Sequence, residues 1–555
     1  MVTAVAPAPH DESPAVGHGP LHAHGKGPWQ RLVELMRLEW GDVFTLLAFA
    51  LGVGLLSLVA PAAIEALVNT VAFGILLWPV FVLAMVMFAL LFVAAVLRAM
   101  QTYVAECLQR RLFVRTALGF ADRLARTGIA SFDGANRADI VNRFFEVSSG
   151  QKSIATLLVE GVGIIMMTLV GLIVLAFYHP YLLTFALVLG GLVVFLLLVL
   201  GIGGVRTSID ESYAKFDVAA WLEEVARCPH TFRSGEGALL AIDRADTLAD
   251  RYVAARKRHF SIIWRQTIFA LMLEAVGSTV LLGLGGWLVI NRQLTLGQLV
   301  ASELIVTLVL AALSKIGKYV EIFYDLQATL DKLGVLDRLP PEPREGEQLV
   351  ATGPLAVVAE LPDREVGPRR LELAAGERVA ITGPRGKTQL LETLGLLRLP
   401  KEGLLEYDRI DARGLDRAAA RQQVAFVGRA EVFAGTVEEN LRLGRDGLTG
   451  ADLRRALDMV GLSDRVARLP QGMQTPLTPD GRPLSNNEIA RLAIARAIAG
   501  RPRLLLVDGM LDGLDLSACP ALLDSLFDPD AGWTLAVTTA RDDIRDRCDR
   551  VVEWT

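Results

Sequence analysis

The 555-residue sequence predicts an α-helical membrane domain of six spans followed by a soluble α/β domain. Three observations carry that expectation. The apolar excess, with 52% hydrophobic residues and a mean hydropathy of +0.41, lies almost entirely before about residue 315. Six stretches within it each reach the roughly 20 apolar residues that a helix needs to cross a bilayer. Beyond about residue 340 the chain turns rich in Arg, Asp and Gly, and strand-like runs alternate with helical patterns, as in an α/β domain with a largely parallel sheet.

In chain order, residues 1–28 carry His10, His18, His22 and His24 among Pro, Gly and Ala and read as a disordered tail. A metal-binding tract is the alternative, but no spacing there fixes a ligand geometry. The tail lacks the charged-then-apolar order of a signal peptide. The membrane domain is expected over 29–336, with spans near 44–70, 76–98, 154–178, 181–204, 267–290 and 296–314. Three links between spans are short and poor in Lys and Arg: a turn near Gly74, "YHPY" at 178–181 and "NRQLT" at 291–295. The other two, 98–152 and 206–266, are long and basic, which places them and both termini in the cytosol of a cytoplasmic (inner) membrane. Because both long links keep helical periodicity, helices two to five are expected to run beyond the bilayer and to join near "SFDGANRAD" (131–139) and within "EEVARCPHTFRSGEG" (223–237).

Four carboxylates fall within or at the ends of spans: Glu65, Glu160, Glu274 and Glu303. Buried unpaired acids are costly in a membrane, so each is a candidate for a translocation path. The competing reading, which their helix-end positions favour, is that they face water or the bundle interior. The net charge of −5 and pI near 5.9 give a nucleic-acid partner no electrostatic support. Cys107, Cys228, Cys519 and Cys548 form no CxxC pair, and the topology puts all four on the cytosolic side, against a disulfide or zinc site.

A Pro- and charge-rich linker, 337–352, leads to the soluble domain, 353–555. Its strands read as "LAVVAEL", "RVAITG", "QVAFVG", "RLLLVDG" and "TLAVTT", with a helix in "NNEIARLAIARAIAG". In "ITGPRGKTQLL" a strand enters a Gly-rich turn and a Lys-Thr pair opens a helix, the outline of a phosphate-binding loop. The usual GxxxxGK[ST] has four residues between its glycines; only Pro384 and Arg385 separate Gly383 from Gly386.

The six spans, the two long excursions and the order "AGERVAITGPRGKT", "AFVGRAEVFAGTVEENLRLG", "LSNNEIARLAIARAIAG", "RLLLVDGMLDGLD" together resemble an ABC exporter half-transporter, from about residue 30 onward. The fold implied is a six-helix membrane domain fused to an α/β P-loop-type ABC ATPase domain. In that family ATPase domains pair, so each nucleotide lies between the loop motifs of one chain and the signature of the other. The resemblance therefore implies ATP with Mg²⁺ and a second half-transporter in the bilayer. Gly383, Gly386, Lys387 and Thr388 fall on the phosphate loop, and Thr388 and Asp508 on the two positions that hold Mg²⁺.

Elsewhere the chain departs from the family. No aromatic stands in 357–373 to stack on adenine. Arg429 replaces the Q-loop glutamine, and a cation cannot ligate Mg²⁺. The LSGGQ signature reads Leu484, Ser485, Asn486, Asn487, Glu488, with side chains where glycines would let backbone approach phosphate and a carboxylate that repels it. Ser485 and the Asn residues still suit a helix N-terminus. Gly509 replaces the catalytic glutamate and Ala540 the switch histidine, whereas Asp515 of the D-loop is kept. These losses predict a chain that is catalytically inactive on its own, with ATP binding itself left open.

The expected function is a membrane subunit of an ABC-type export system working beside an ATPase-competent partner, a hetero-dimer in preference to a homodimer. The alternatives are a non-transporting scaffold or regulatory subunit on the same fold, and a conduit gated by ATP without hydrolysis. "LTLGQLVASELIV" (294–306) resembles type I secretion ABC proteins, which would suit a peptide or protein path.

Overall fold

The structure, a computed structural model, describes residues 27–73, 77–133, 137–334, 341–342, 345–350, 352–362, 369–400, 402–516 and 519–554. Nearly all of the His-rich tail (1–26) and residues 337–340, 343–344 and 351 of the linker lie outside the described residues. The chain falls into two compact units, one drawn from Met1–Ala125 and Ala135–Leu339, the other from Arg126–Gly134 and Pro340–Thr555.

The first unit is helical. It opens with α1 (Pro28–Leu38), then α2 (Trp40–Leu56) and α3 (Val59–Phe73), followed by α4 (Leu77–Arg126). Next come α5 (Arg137–Thr156), a π-helical turn (Leu157–Gly161) and α6 (Val162–Tyr178), which run on as one rod. The remainder comprises α7 (Pro180–Leu198), α8 (Gly204–Arg227), α9 (Gly235–Ile290), α10 (Leu296–Leu313) and α11 (Ile316–Leu333). Among the described residues six stretches are long and apolar enough to cross a membrane: Trp40–Thr70, Trp78–Arg126, Asn142–Tyr178, Pro180–Leu198, Gly235–Ile290 and Leu296–Lys332. The 50 residues of α4 and 56 of α9 make rods of about 75 and 84 Å at 1.5 Å per residue, well beyond a hydrocarbon core of about 30 Å. Their projecting ends are polar and ion-paired: Arg256 of α9 holds Glu211 and Glu321 at 3.2 and 3.1 Å.

Turns fall where the sequence puts breakers. Pro180 takes the first position of α7, and His179 leaves the helix with φ −162° while its Nδ1 accepts the Tyr181 N–H. Thr295 and Gln298 cap α10 reciprocally. One expectation fails, that helix four continues unbroken past the membrane. It stops at Leu198 and restarts at Gly204. Gly203 adopts φ +87°, and a Cβ on Gly204 would lie 2.3 Å from the Tyr324 ring, so only glycine lets α8 begin against α11. The buried Gln266 of α9 donates to the Leu196 carbonyl, satisfying a helix end that would otherwise be unpaired inside the bundle.

The second unit carries a parallel sheet in the order β11-β3-β10-β9-β6. In chain order its elements are β1 (Val357–Leu361), β2 (Arg369–Leu373), β3 (Arg378–Thr382), α12 (Lys387–Leu394), β4 (Leu404–Tyr407), β5 (Ile410–Asp411), α13 (Arg417–Ala420) and β6 (Val424–Val427). A short pair, β7 (Gly435–Thr436) and β8 (Pro476–Leu477), brackets α14 (Val437–Arg442), α15 (Gly450–Met459) and α16 (Ser463–Ala467). The chain closes with α17 (Asn486–Ala499), β9 (Leu504–Asp508), α18 (Pro520–Leu526), β10 (Thr534–Thr538), α19 (Asp542–Arg545) and β11 (Arg550–Glu553). Strands β3, β9 and β10 are buried almost throughout, as parallel strands covered on both faces must be. The run "LAVVAEL", expected in the parallel sheet, instead forms β1 of a separate antiparallel sheet, β2-β1-β4-β5. Its Val357 and Ala359 face the core and Val358 and Glu360 face outward, the alternation of a strand with one wet face. The 3₁₀ turn Ile129–Phe132 belongs to this unit, where Thr127 bridges to Pro341 and the Glu342 N–H donates to the Arg126 carbonyl.

Candidate functional site

Ile381, Thr538 and Asp508 stand in one row across β3, β10 and β9. Because the strands are parallel, the segments leaving them share the carboxyl edge of the sheet, where open α/β sheets place their ligands. The phosphate-loop residues, Asp508, Gly509 and Ala540 thus come to one edge.

Gly383 takes φ +129°, and a Cβ there would lie 1.9 Å from the Trp554 carbonyl oxygen. The Trp554 N–H in turn donates to the Thr382 carbonyl at 2.7 Å. The first glycine of the loop therefore serves close packing against Trp554, the residue that follows β11. Gly386, at φ +77°, caps α12, whose first-turn N–H groups lack intrahelical partners and carry the positive end of the helix dipole. They open into a cavity of about 580 Å³ lined by Arg385, Lys387, Thr388, Arg398, Glu392 and Asp133, among others. Arg398 is held by Asp133 and Glu392, and these two partners, Asp133 first, raise its pKa above the usual guanidinium range. Lys387 has no ion pair among the described residues. Its ammonium, the Thr388 hydroxyl and the free N–H groups fit a phosphate, although the short loop supplies fewer N–H donors than GxxxxGK[ST] would.

The Thr538 hydroxyl donates to one oxygen of Asp508, and the Gly509 N–H donates to that hydroxyl at 2.7 Å. The other Asp508 oxygen has no protein partner among the described residues, which suits a hard cation such as Mg²⁺. Gly509 itself sits at φ +61°, with open space where a Cβ would be. Asp512, which the sequence reading passed over, accepts the Thr539 hydroxyl and the Ala540 N–H, pinning the segment that leaves β10. Arg429 is exposed just after β6 and makes no ion pair among the described residues.

The signature segment turns inward upon itself. Ser485 caps α17 through the Glu488 N–H, and Glu488 reaches back to the Ser485 N–H at 2.8 Å. Arg465 of α16 donates to the other Glu488 oxygen at 2.8 Å and to the Pro483 carbonyl. The expected repulsion by Glu488 is thus largely cancelled by Arg465. Burial, the largest influence, pushes the Glu488 carboxyl up, but the Ser485 hydrogen bonds and Arg465 together bring it below its usual range. Leu484 is buried, and Asn486 is exposed at the helix start beside the half-buried Asn487.

The four span acids are not gathered into one site. Glu65 accepts the Tyr178 hydroxyl at 2.6 Å. Glu160 accepts the Tyr319 hydroxyl at 2.6 Å and lies 3.7 Å from the Lys318 ammonium. Glu303 keeps one buried oxygen without a partner among the described residues, and Glu274 is half-buried on α9. Among the described residues no group of three or more His, Cys, Asp or Glu could hold a metal ion, and all four cysteines are free.

Residues 367–511 match the ABC transporter family. Over 473 residues the chain is 24% identical to the leukotoxin translocation ATP-binding protein LktB of Mannheimia glucosida, an alignment that covers 82% of this chain and 66% of that protein. It is 26% identical over 267 residues to the beta-(1→2)glucan export ATP-binding/permease protein NdvA of Bartonella henselae, covering 46% of this chain and 45% of that one. The chain thus spans just under two thirds of the longer-matched relative. A bacterial Atm1-family ABC exporter with ATP bound superposes with a TM-score of 0.74 over 95% of this chain and 93% of that one, at 22% identity. With six helices among the described residues long and apolar enough to cross a membrane, and with residues 367–511 matching the ABC transporter family, the chain is an integral membrane protein with the fold of an ABC exporter.

Proposed function

We propose that this chain is the hydrolysis-impaired half of an exporter, paired with a second, ATPase-competent half-transporter in the cytoplasmic membrane, with its soluble unit and termini in the cytosol. It would contribute half the translocation path through residues 29–336 and a nucleotide-binding domain over 353–555. The carrying observation is the edge of the parallel sheet, where Arg429, Gly509 and Ala540 stand and where a base, a metal-orienting amide and a γ-phosphate donor would be needed. ATP, when bound, supplies the phosphate charge and the free energy of its hydrolysis. Toward it, Lys387 would neutralise phosphate, and Thr388 and Asp508 would hold Mg²⁺. Glycine at 509 cannot polarise a water, and Asp512 fixes the Ala540 backbone without presenting a side chain to phosphate. Such groups commonly contribute two or more orders of magnitude each and act as a unit, so the purified chain alone is expected to hydrolyse ATP at background rate. Turnover typical of transport ATPases by that preparation overturns the reading. Co-purification from the native membrane is expected to bring down a second ABC chain with complete motifs, and a permanent complex with an unrelated protein would instead favour a scaffold.

A further inference from the structure

A cavity of about 500 Å³ lies within the membrane unit, between α2, α4, the π-turn with α6, α10 and α11. Its volume falls in the range of ligand pockets, roughly 300–1,000 Å³. One arm is apolar, walled by Ala50, Val53, Ile164, Met167 and Leu308. The other is polar, with Arg98, Gln101, Glu160, Lys315 and Tyr319. Three features of the polar arm call for a ligand. Gln101 is 3% exposed, yet its amide nitrogen donates to nothing among the described residues. Arg98 and Lys315 form no ion pair among the described residues, whereas the one acid on the wall, Glu160, is already matched by Tyr319 and Lys318. The residual charge on this wall is therefore positive, carried by two exposed cations at the ends of spans two and six.

Glu160 also sits in the π-turn, closed by the Val162 N–H donating to the Leu157 carbonyl. Wide turns of this kind recur at functional sites because they re-aim a side chain within a helix.

We propose that this cavity binds an amphipathic anion, an acyl or alkyl chain along the Met167 arm with a carboxylate or phosphate between Arg98, Lys315 and the Gln101 amide. The source is a membrane lipid headgroup or a free amphiphile. The inference needs the membrane placement of the six helices and is independent of the nucleotide site, because binding is measured without nucleotide.

The test uses the full chain in phosphatidylcholine nanodiscs titrated with dansyl-labelled undecanoate, read by fluorescence. Laurate or phosphatidylglycerol is expected to displace the probe, and dodecyltrimethylammonium is not. Displacement by laurate alone identifies a free amphiphile, and by phosphatidylglycerol alone a lipid. The double substitution Arg98→Gln with Lys315→Gln is expected to weaken binding about tenfold or more, the scale of about 1.4 kcal/mol. Met167→Trp, which narrows the apolar arm and leaves every charge in place, is expected to weaken it as well and serves if the double variant does not fold. Displacement by neither anion, equal displacement by the cation, or unchanged affinity in the variants overturns the proposal.

Discussion

In the soluble unit, the interior of the parallel sheet and its carboxyl edge obey different rules. Leu504, Leu505, Leu506 and Val507 of β9 are fully buried, and Leu492 and Ile494 of α17 are fully buried in the same unit. One residue past that strand the backbone turns at Gly509, and one oxygen of Asp508 and both carboxylate oxygens of Asp512 and Glu488 are engaged with other protein groups. Interior positions answer to volume and water exclusion, which any apolar residue of the right size meets. Edge positions answer to one ligand, and here their hydrogen-bonding capacity is largely turned back onto the protein. The difference teaches that the fold of such a domain and its chemistry are carried by separate sets of residues.

The largest effect should come from the interior. Leu492→Ala is expected to cost about 2–5 kcal/mol, read as a lowered melting temperature of the soluble unit in the purified chain. Tyr407→Phe comes next. The hydroxyl is fully buried and donates to the Leu394 carbonyl at 2.6 Å, so its removal strands that acceptor and should cost about 1–3 kcal/mol in the same assay. Ser485→Ala should cost about 1 kcal/mol as a lost cap while leaving any nucleotide affinity of the purified chain unchanged. Should it weaken nucleotide binding while stability holds, the signature still faces a ligand and the contrast fails.

The pH effect is smaller. Glu488 has a folded pKa depressed below its usual 4.5, so its contribution is present above 4.5 and fades as pH falls through the depressed value. A Glu488→Gln variant, less stable than the parent at neutral pH, should therefore converge on it in unfolding measured at successively lower pH, as the parent carboxylate becomes protonated. The smallest change is expected of Gly509→Glu, which should leave ATPase activity at background. At φ +61° a side chain is strained by about 1–2 kcal/mol, and Arg429 and Ala540 remain unsuited. Activity restored by that one substitution would erase the contrast altogether.

Much of this was legible in the sequence. Apolar runs of bilayer length and the alternation of strand and helix gave the fold, because both are local patterns. The break at Val199–Gly203 was not, since "VLGIG" remains apolar and only Tyr324, over a hundred residues later, makes Gly204 obligatory. The antiparallel home of Val357–Leu361 was hidden for the same reason, its partners being Arg369–Leu373 and Leu404–Tyr407. At the site, Lys387, Asp508 and Ser485 could be placed by motif, whereas Trp554 against Gly383 and Asp133 beside Arg398 depend on approaches between distant segments. Asp512 did leave a signal, a carboxylate within "DGMLDGLD", but nothing in that string says which backbone it holds.

The π-turn at Leu157–Gly161 has a consequence for how this chain tolerates insertions and deletions. Removing a residue from an α-helix swings everything beyond it by about 100° and misaligns every packed face. A turn closed from Val162 to Leu157 already holds one residue more than the helix on either side requires. Excising one there would leave α5 and α6 in register with their neighbours while withdrawing Glu160 from its place, so the third span could gain or shed this feature by a single codon and still cross the membrane.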